Sequence, residues 1–235
     1  MKMRQVIMKS KRTLINWLGL LGVVSFLSYA AAVIIAPFAY PGYDWMSQAV
    51  SDLNMVNAPS LSLWNQLSSL YSPAGLTCIM IVCVAINDKF NKTLRIGIYM
   101  WAIMCWVSAI GFGWFPLSES GRDGRAIQDT MHLIVTAAVV LLSITSLITI
   151  MIGGYRKKRF VSIASCAMIA LGLMCVGPIG FAIAPPKYFG IFQRFSNLIA
   201  ANGFTAALGI FLFMGKLDDK FRIKQELSAQ EKAER

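Results

Sequence analysis

Apolar residues in this chain fall into six long blocks separated by short polar or charged connections. A helix rising about 1.5 Å per residue needs roughly 20 such residues to cross a hydrocarbon layer about 30 Å thick. The pattern predicts helices over about 14–36, 67–86, 96–115, 128–152, 160–184 and 189–214. Three of them run away from the termini, and proline closes each: Pro37, Pro116 and Pro185-Pro186. Within the connection 38–66, Met46, Ala49, Val50 and Leu53 recur at helical spacing, so 44–53 is expected to form a short helix on the membrane interface. Tyr40, Tyr43, Trp45 and Trp64 read as an aromatic belt around it. Gly177-Pro178-Ile179-Gly180 predicts a kink or local unwinding in the fifth block. The expected fold class is all-α: a polytopic membrane protein of six transmembrane helices with a short interfacial helix in the first outer loop. Its parts would be a basic N-terminus (1–13), the membrane domain (14–214) and a charged tail (215–235).

Composition agrees with this reading and excludes a soluble domain: 57% of residues are hydrophobic, 14% are charged, and the mean hydropathy is +0.61. A formal charge of +11 would raise the possibility of nucleic-acid binding, but its location argues otherwise. With the N-terminus inside, 18 of the 22 lysines and arginines lie in the termini and the two inner loops. The remaining four are Arg122, Arg125, Lys187 and Arg194. Such asymmetry sets topology, and it predicts both termini in the cytoplasm of a bacterial cell membrane. The first block follows a basic start, as a signal peptide does. At about 23 residues it exceeds the usual h-region of about 7–15, so a retained helix is expected.

Charge and candidate chemistry concentrate in one connection, 115–132, which ends on His132, the single histidine. Asp129 and His132 stand three apart and share a helix face. Topology gathers Asp44, Ser47, Ser51, Asp52, Glu119, Asp123, Asp129, His132, Gln193, Arg194 and Asn197 at the outer face, and polar groups at membrane depth tend to mark sites. A neutral His132 oriented by Asp129 or Asp52 has the makings of a general base, with Ser47 or Ser51 as nucleophile. The same histidine also reads as a structural tie between loop and bundle. Arg194 in an apolar surround wants a carboxylate, with Asp52 first and Asp129 second, or else an anionic ligand, with Gln193 and Asn197 beside it. All five cysteines lie inside apolar blocks without metal-ligand spacing, so neither a metal site nor a disulfide framework is expected. Nothing in the pattern calls for a cofactor. The absence of a phosphate-binding loop argues against a primary pump.

Taken together, Tyr40-Pro41-Gly42-Tyr43, Ser47, Ser51-Asp52-Leu53, Gly113-x-Phe115-Pro116, His132 and Gln193-Arg194 resemble a bacterial six-helix membrane family, catalogued as domain of unknown function 998. The resemblance covers about residues 15–215. Where that family often has an acid soon after Phe-Pro, this chain reads Leu117-Ser118-Glu119. The resemblance implies a multi-pass membrane protein and no particular activity. Three functional readings stay open: an outer polar cluster that binds a lipid headgroup, small ligand or partner; a lipid-directed hydrolase or transferase using His132; and a small transporter with Gly177–Gly180 and Asn202 as broken-helix features.

Overall fold

A computed structural model describes residues 12–87, 89–118, 127–183 and 185–217. Six helical spans are long and apolar enough to cross a membrane: Leu14–Ala39, Leu61–Ile86, Lys92–Trp114, Ile127–Tyr155, Lys158–Gly180 and Phe189–Phe213. No strand occurs among the described residues. Each span packs against its neighbour in sequence, and the sixth closes back on the first, so the spans form a ring. The second span also touches the sixth across that ring. An even number of spans puts residues 12 and 217 on one face, where Arg12 lies over the ring of Phe213 at 4.2 Å. The opposite face carries the longer connections and is called the loop face below.

Several helix ends follow from local chemistry. Thr13 and Asn16 form a capping box at the first span, and the Asn16 amide also donates to the Leu212 carbonyl at 2.9 Å. Asn91 accepts from the Leu94 N–H and donates to the Gly153 carbonyl, so one side chain starts the third span and ties it to the fourth. Pro37 opens a final 3-10 turn, Ala36–Ala39, on the first span.

Three sequence expectations are corrected. The second span begins at Leu61, with a break at 68–70 between its helical parts Leu61–Leu67 and Tyr71–Ile86. Asn65 and Gln66 disguise this start as loop, yet Trp64 is buried edge-on against Tyr29 and does not join an interfacial belt. Residues 44–53 do not form one helix. A turn at 44–48 and an extended Ala49 precede a 3-10 helix, Val50–Asn54, because the Asp52 carboxylate accepts the Ala49 N–H and starts a new element there. That element buries Val50 and Leu53 against Tyr29, Val33 and Trp64. The local unwinding expected at Gly177–Gly180 does not occur: the fifth block stays helical through Pro178, over Val161–Ile183. Its glycines serve close approach: a Cβ at Gly177 would overlap Ser196, and one at Gly180 would overlap the Phe192 ring. The irregularity lies in the sixth span, where Phe195–Asn202 is a π-helix between the α-helices Phe189–Arg194 and Gly203–Phe213.

Packing differs along the membrane normal. Near the termini the ring is solid: Ile79, Ile86, Leu94, Ile150, Leu208 and Leu212 are all essentially inaccessible. Backbones come close there, as small-residue contacts allow between membrane helices. A Cβ at Gly153 would run into the Leu94 backbone, and one at Gly19 into the Gly209 carbonyl. Toward the loop face the same ring opens around a cavity.

Candidate functional site

Two side-chain clamps hold the connections on the loop face. The first joins the 43–50 turn to the start of the sixth span. Arg194 donates from one guanidinium nitrogen to the Trp45 and Gly190 carbonyls at 2.7 and 2.8 Å, and from the other to the Tyr43 hydroxyl at 2.8 Å. The Gln193 Oε1 accepts the Val50 N–H at 2.7 Å, and the Ile191 N–H reaches the Met46 carbonyl. Gly190 makes this approach possible, since a Cβ there would fall on the Gln48 carbonyl. The expected Arg194 ion pair with Asp52 or Asp129 is therefore not formed. A cluster of carbonyls at the turn satisfies the guanidinium instead, while Asp52 caps Ala49 and Asp129 lies in the second clamp.

The second clamp fixes residues 115–118. Successive groups of this segment are taken up by one turn of the fourth span. His132 Nδ1 donates to the Phe115 carbonyl at 2.8 Å, and Gln128 donates to the Pro116 carbonyl at 2.6 Å. Asp129, wholly buried, accepts both the N–H and the hydroxyl of Ser118, at 2.8 and 2.6 Å. The Val56 N–H donates to the Leu117 carbonyl, which joins the two clamps into one roof. Because a carbonyl only accepts, this arrangement puts a proton on His132 Nδ1. The imidazole also lies against the Phe112 ring, with centroids 5.0 Å apart.

Of the nucleophile candidates, Ser47 donates to Asp44 at 2.7 Å, and Ser51 sits half-buried in the 3-10 turn. The Ser47 hydroxyl and then the Met46 N–H hold the exposed Asp44 carboxyl below its ordinary 3.8. Thus the structure brings Arg194 and Gln193 onto the first loop, and Asp129 and His132 onto 115–118. Glu119 and Asp123 lie outside the described residues. Among the described residues, no group of three His, Cys, Asp or Glu side chains forms a metal-ligand set.

Beneath this roof is a cavity of about 470 Å³, reached by side chains from all six spans. One wall is polar. Tyr71 stands beside Ser108 and Asn202, the Asn202 amide donates to the Asn197 carbonyl at 3.1 Å, and Asn197 lies near Tyr29. Gln193 lines the same cavity, its Nε2 unbonded among the described residues. The opposite wall is apolar: Val139, Val140 and Ile144 of the fourth span face Met174, Pro178 and Ile179 of the fifth. Thr136 and Ser143 also reach the cavity from the fourth span, but each hydroxyl donates to the carbonyl one turn back on its own helix.

Sequence reasoning found the roof and missed most of the polar wall. Ser108 is a single polar residue within an apolar block, and Tyr71 sits among Ser68, Ser69 and Ser72 at the start of another. The signal available was their coincidence at one depth with Asn197 and Asn202.

These features define a multi-pass membrane protein with a roofed cavity in one half of its helix ring. A family model described as protein of unknown function (DUF998) matches residues 23–211, and the chain belongs to that family. No curated protein and no solved structure matches it.

Proposed function

We propose that this protein binds a single amphiphile of lipid-like chemistry in the cavity, under a roof made by the first and third connections. The carrying observation is the pairing of one polar wall with one apolar wall inside the membrane part of the ring. The volume lies within the range of small-ligand sites, about 300–1,000 Å³. Left unfilled, a hollow of this size would forgo packing contacts that the other half of the bundle keeps.

In this reading Gln193 and Asn197 contact the ligand. Arg194, Asp129, His132, Asp52, Ser47 and Ser51 hold the roof. Asp129 serves Ser118 of the 115–118 segment, and the Ser47 hydroxyl donates to Asp44, which favours binding over acyl transfer. The basic asymmetry supports a cytoplasmic location for both termini, with the roof facing outward from a bacterial cell membrane.

The test is photolabelling in nanodiscs doped with a diazirine-tailed lipid, followed by peptide mapping. Labels are expected at cavity residues such as Ser108, Val139 and Asn202, and should be lost in an Ala109→Trp variant that fills the space. Labels confined to the outer perimeter, at Ile148 or Ile169 for example, would overturn the reading.

A further inference from the structure

The cavity wall also specifies what kind of head the amphiphile carries and how it enters. Polar groups reach the cavity as hydroxyls and amides (Tyr71, Ser72, Ser108, Gln193, Asn197, Asn202), and no described lining residue is charged. The nearby ionisable groups are already engaged. Arg194 is spread over carbonyls and a phenol, Asp129 over Ser118, and His132 Nδ1 on Phe115. A ligand charge placed at this depth would meet no counter-charge on the wall, and an unpaired charge away from water is strongly disfavoured. A hydroxyl, carbonyl or amide head would instead meet donors and acceptors already arranged for it.

Among the described residues, polar side chains or a close glycine contact meet on the loop-face half of every seam but the one between the fourth and fifth spans. Ser25 and Ser28 donate across the first seam to the Tyr71 and Leu67 carbonyls, both at 2.6 Å. Tyr71 stands beside Ser108 between the second and third spans. Gly111 receives Val135 between the third and fourth. Ser196 donates to the Met174 carbonyl between the fifth and sixth, and Asn197 meets Tyr29 between the sixth and first. The fourth and fifth spans are pinned at their other end, where Gly154 packs on Ala164 near the short connection. Cavity-lining residues that are also exposed sit on these two spans alone: Val140, Cys175, Pro178 and Ile179, with Ile179 at 56%.

From this geometry we infer that the ligand is an uncharged amphiphile with a hydrogen-bonding head, and that it enters sideways from the bilayer between the fourth and fifth spans. The inference rests on the cavity-binding reading above and narrows it. A tail left in the seam would lie along apolar Val140 and Ile179 while the head meets Tyr71 and Asn202.

The experiment uses the full chain in nanodiscs with three probes that share one diazirine tail. Their heads are glycerol (a monoacylglycerol), carboxylate (a fatty acid at pH 8) and a quaternary ammonium. The glycerol probe should label cavity residues at least tenfold more than either charged probe. Equal or stronger labelling by a charged probe overturns the uncharged head, while absence of cavity labelling by all three overturns the binding reading itself. For the entry route, Val140→Trp and Ile179→Trp should slow glycerol-probe labelling severalfold, with Ile148→Trp on the outer perimeter as an unchanged control. Labelling of both seam variants at the parent rate overturns the route and leaves the head class standing.

Discussion

The half of the ring near the termini and the half near the loops are built from the same six helices, yet they are held together differently. Near the termini, glycine lets backbones meet, and large aliphatic side chains such as Ile79, Leu94 and Leu212 fill what remains. Near the loops, serine hydroxyls bond across two of the seams, other hydroxyls and amides gather on one wall, and the middle is hollow. Apolar contact gains little between helices already surrounded by lipid, so close packing and hydrogen bonds have to hold the spans together. The first half uses close packing to be rigid. The second uses directional bonds that keep walls apart at fixed positions, as a binding site requires.

The largest expected effect that would sharpen this contrast is Gly153→Leu. The new side chain would collide with the Leu94 backbone, which cannot step aside as a side chain can. The loss should reach about 3 kcal/mol or more, at the upper end of overpacking costs, in thermal melts in detergent. Melting like the parent's would mean that the termini half is looser than described. Arg194→Ala comes next. It removes charge-assisted bonds to three carbonyls and a phenol, partly exposed, and should cost about 2 kcal/mol. Proteolysis within 43–50 should quicken, and Arg194→Lys should restore only part of the loss because its point charge cannot span the same acceptors. By contrast Ala109→Leu, in the cavity wall, should change stability by less than about 1 kcal/mol. A loss as large as that of Gly153→Leu would erase the distinction between the halves.

The smallest effect is a pH response confined to the roof. Ser47 and Met46 depress Asp44, so its bonds are fully present above the unfolded value of 3.8 and are lost as pH falls through the lower folded value. Amide exchange at Met46 should therefore accelerate only in that acidic window, with exchange across the termini half unchanged. Acceleration already at pH 5–6 would implicate another group.

Much of this architecture was legible in the sequence, because about 20 apolar residues in a row have few other uses. The clamps were half legible. Gln193, Arg194, Asp129 and His132 stood out as polar groups at a membrane boundary, but their partners are mostly backbone atoms, which no residue pattern reveals. The search for a carboxylate opposite Arg194 failed for that reason. The cavity was least legible. It depends on the phase of the sixth span, and at about 100° per residue Gln193 and Asn202 would sit on opposite faces, about 180° apart. The π-helix Phe195–Asn202 unwinds that difference, and Asn202 comes within hydrogen-bond reach of the Asn197 carbonyl five positions earlier.

That stretch makes the sixth span a screw whose thread changes pitch midway. Removing one residue between 195 and 202 would let it rewind to an ordinary α-helix with its length almost unchanged. The wider turns hold one residue more than an ordinary helix of that length, so its removal would leave everything beyond close to its present facing. Thr205 would stay near the Trp101 indole that now donates to it at 3.0 Å. Rewinding with all eight residues kept would instead turn the far half by roughly 100° and carry one end of the polar wall toward lipid. A single-codon deletion within 195–202 is therefore expected to spare the site, and the same deletion in the regular turns just beyond it to dismantle the wall.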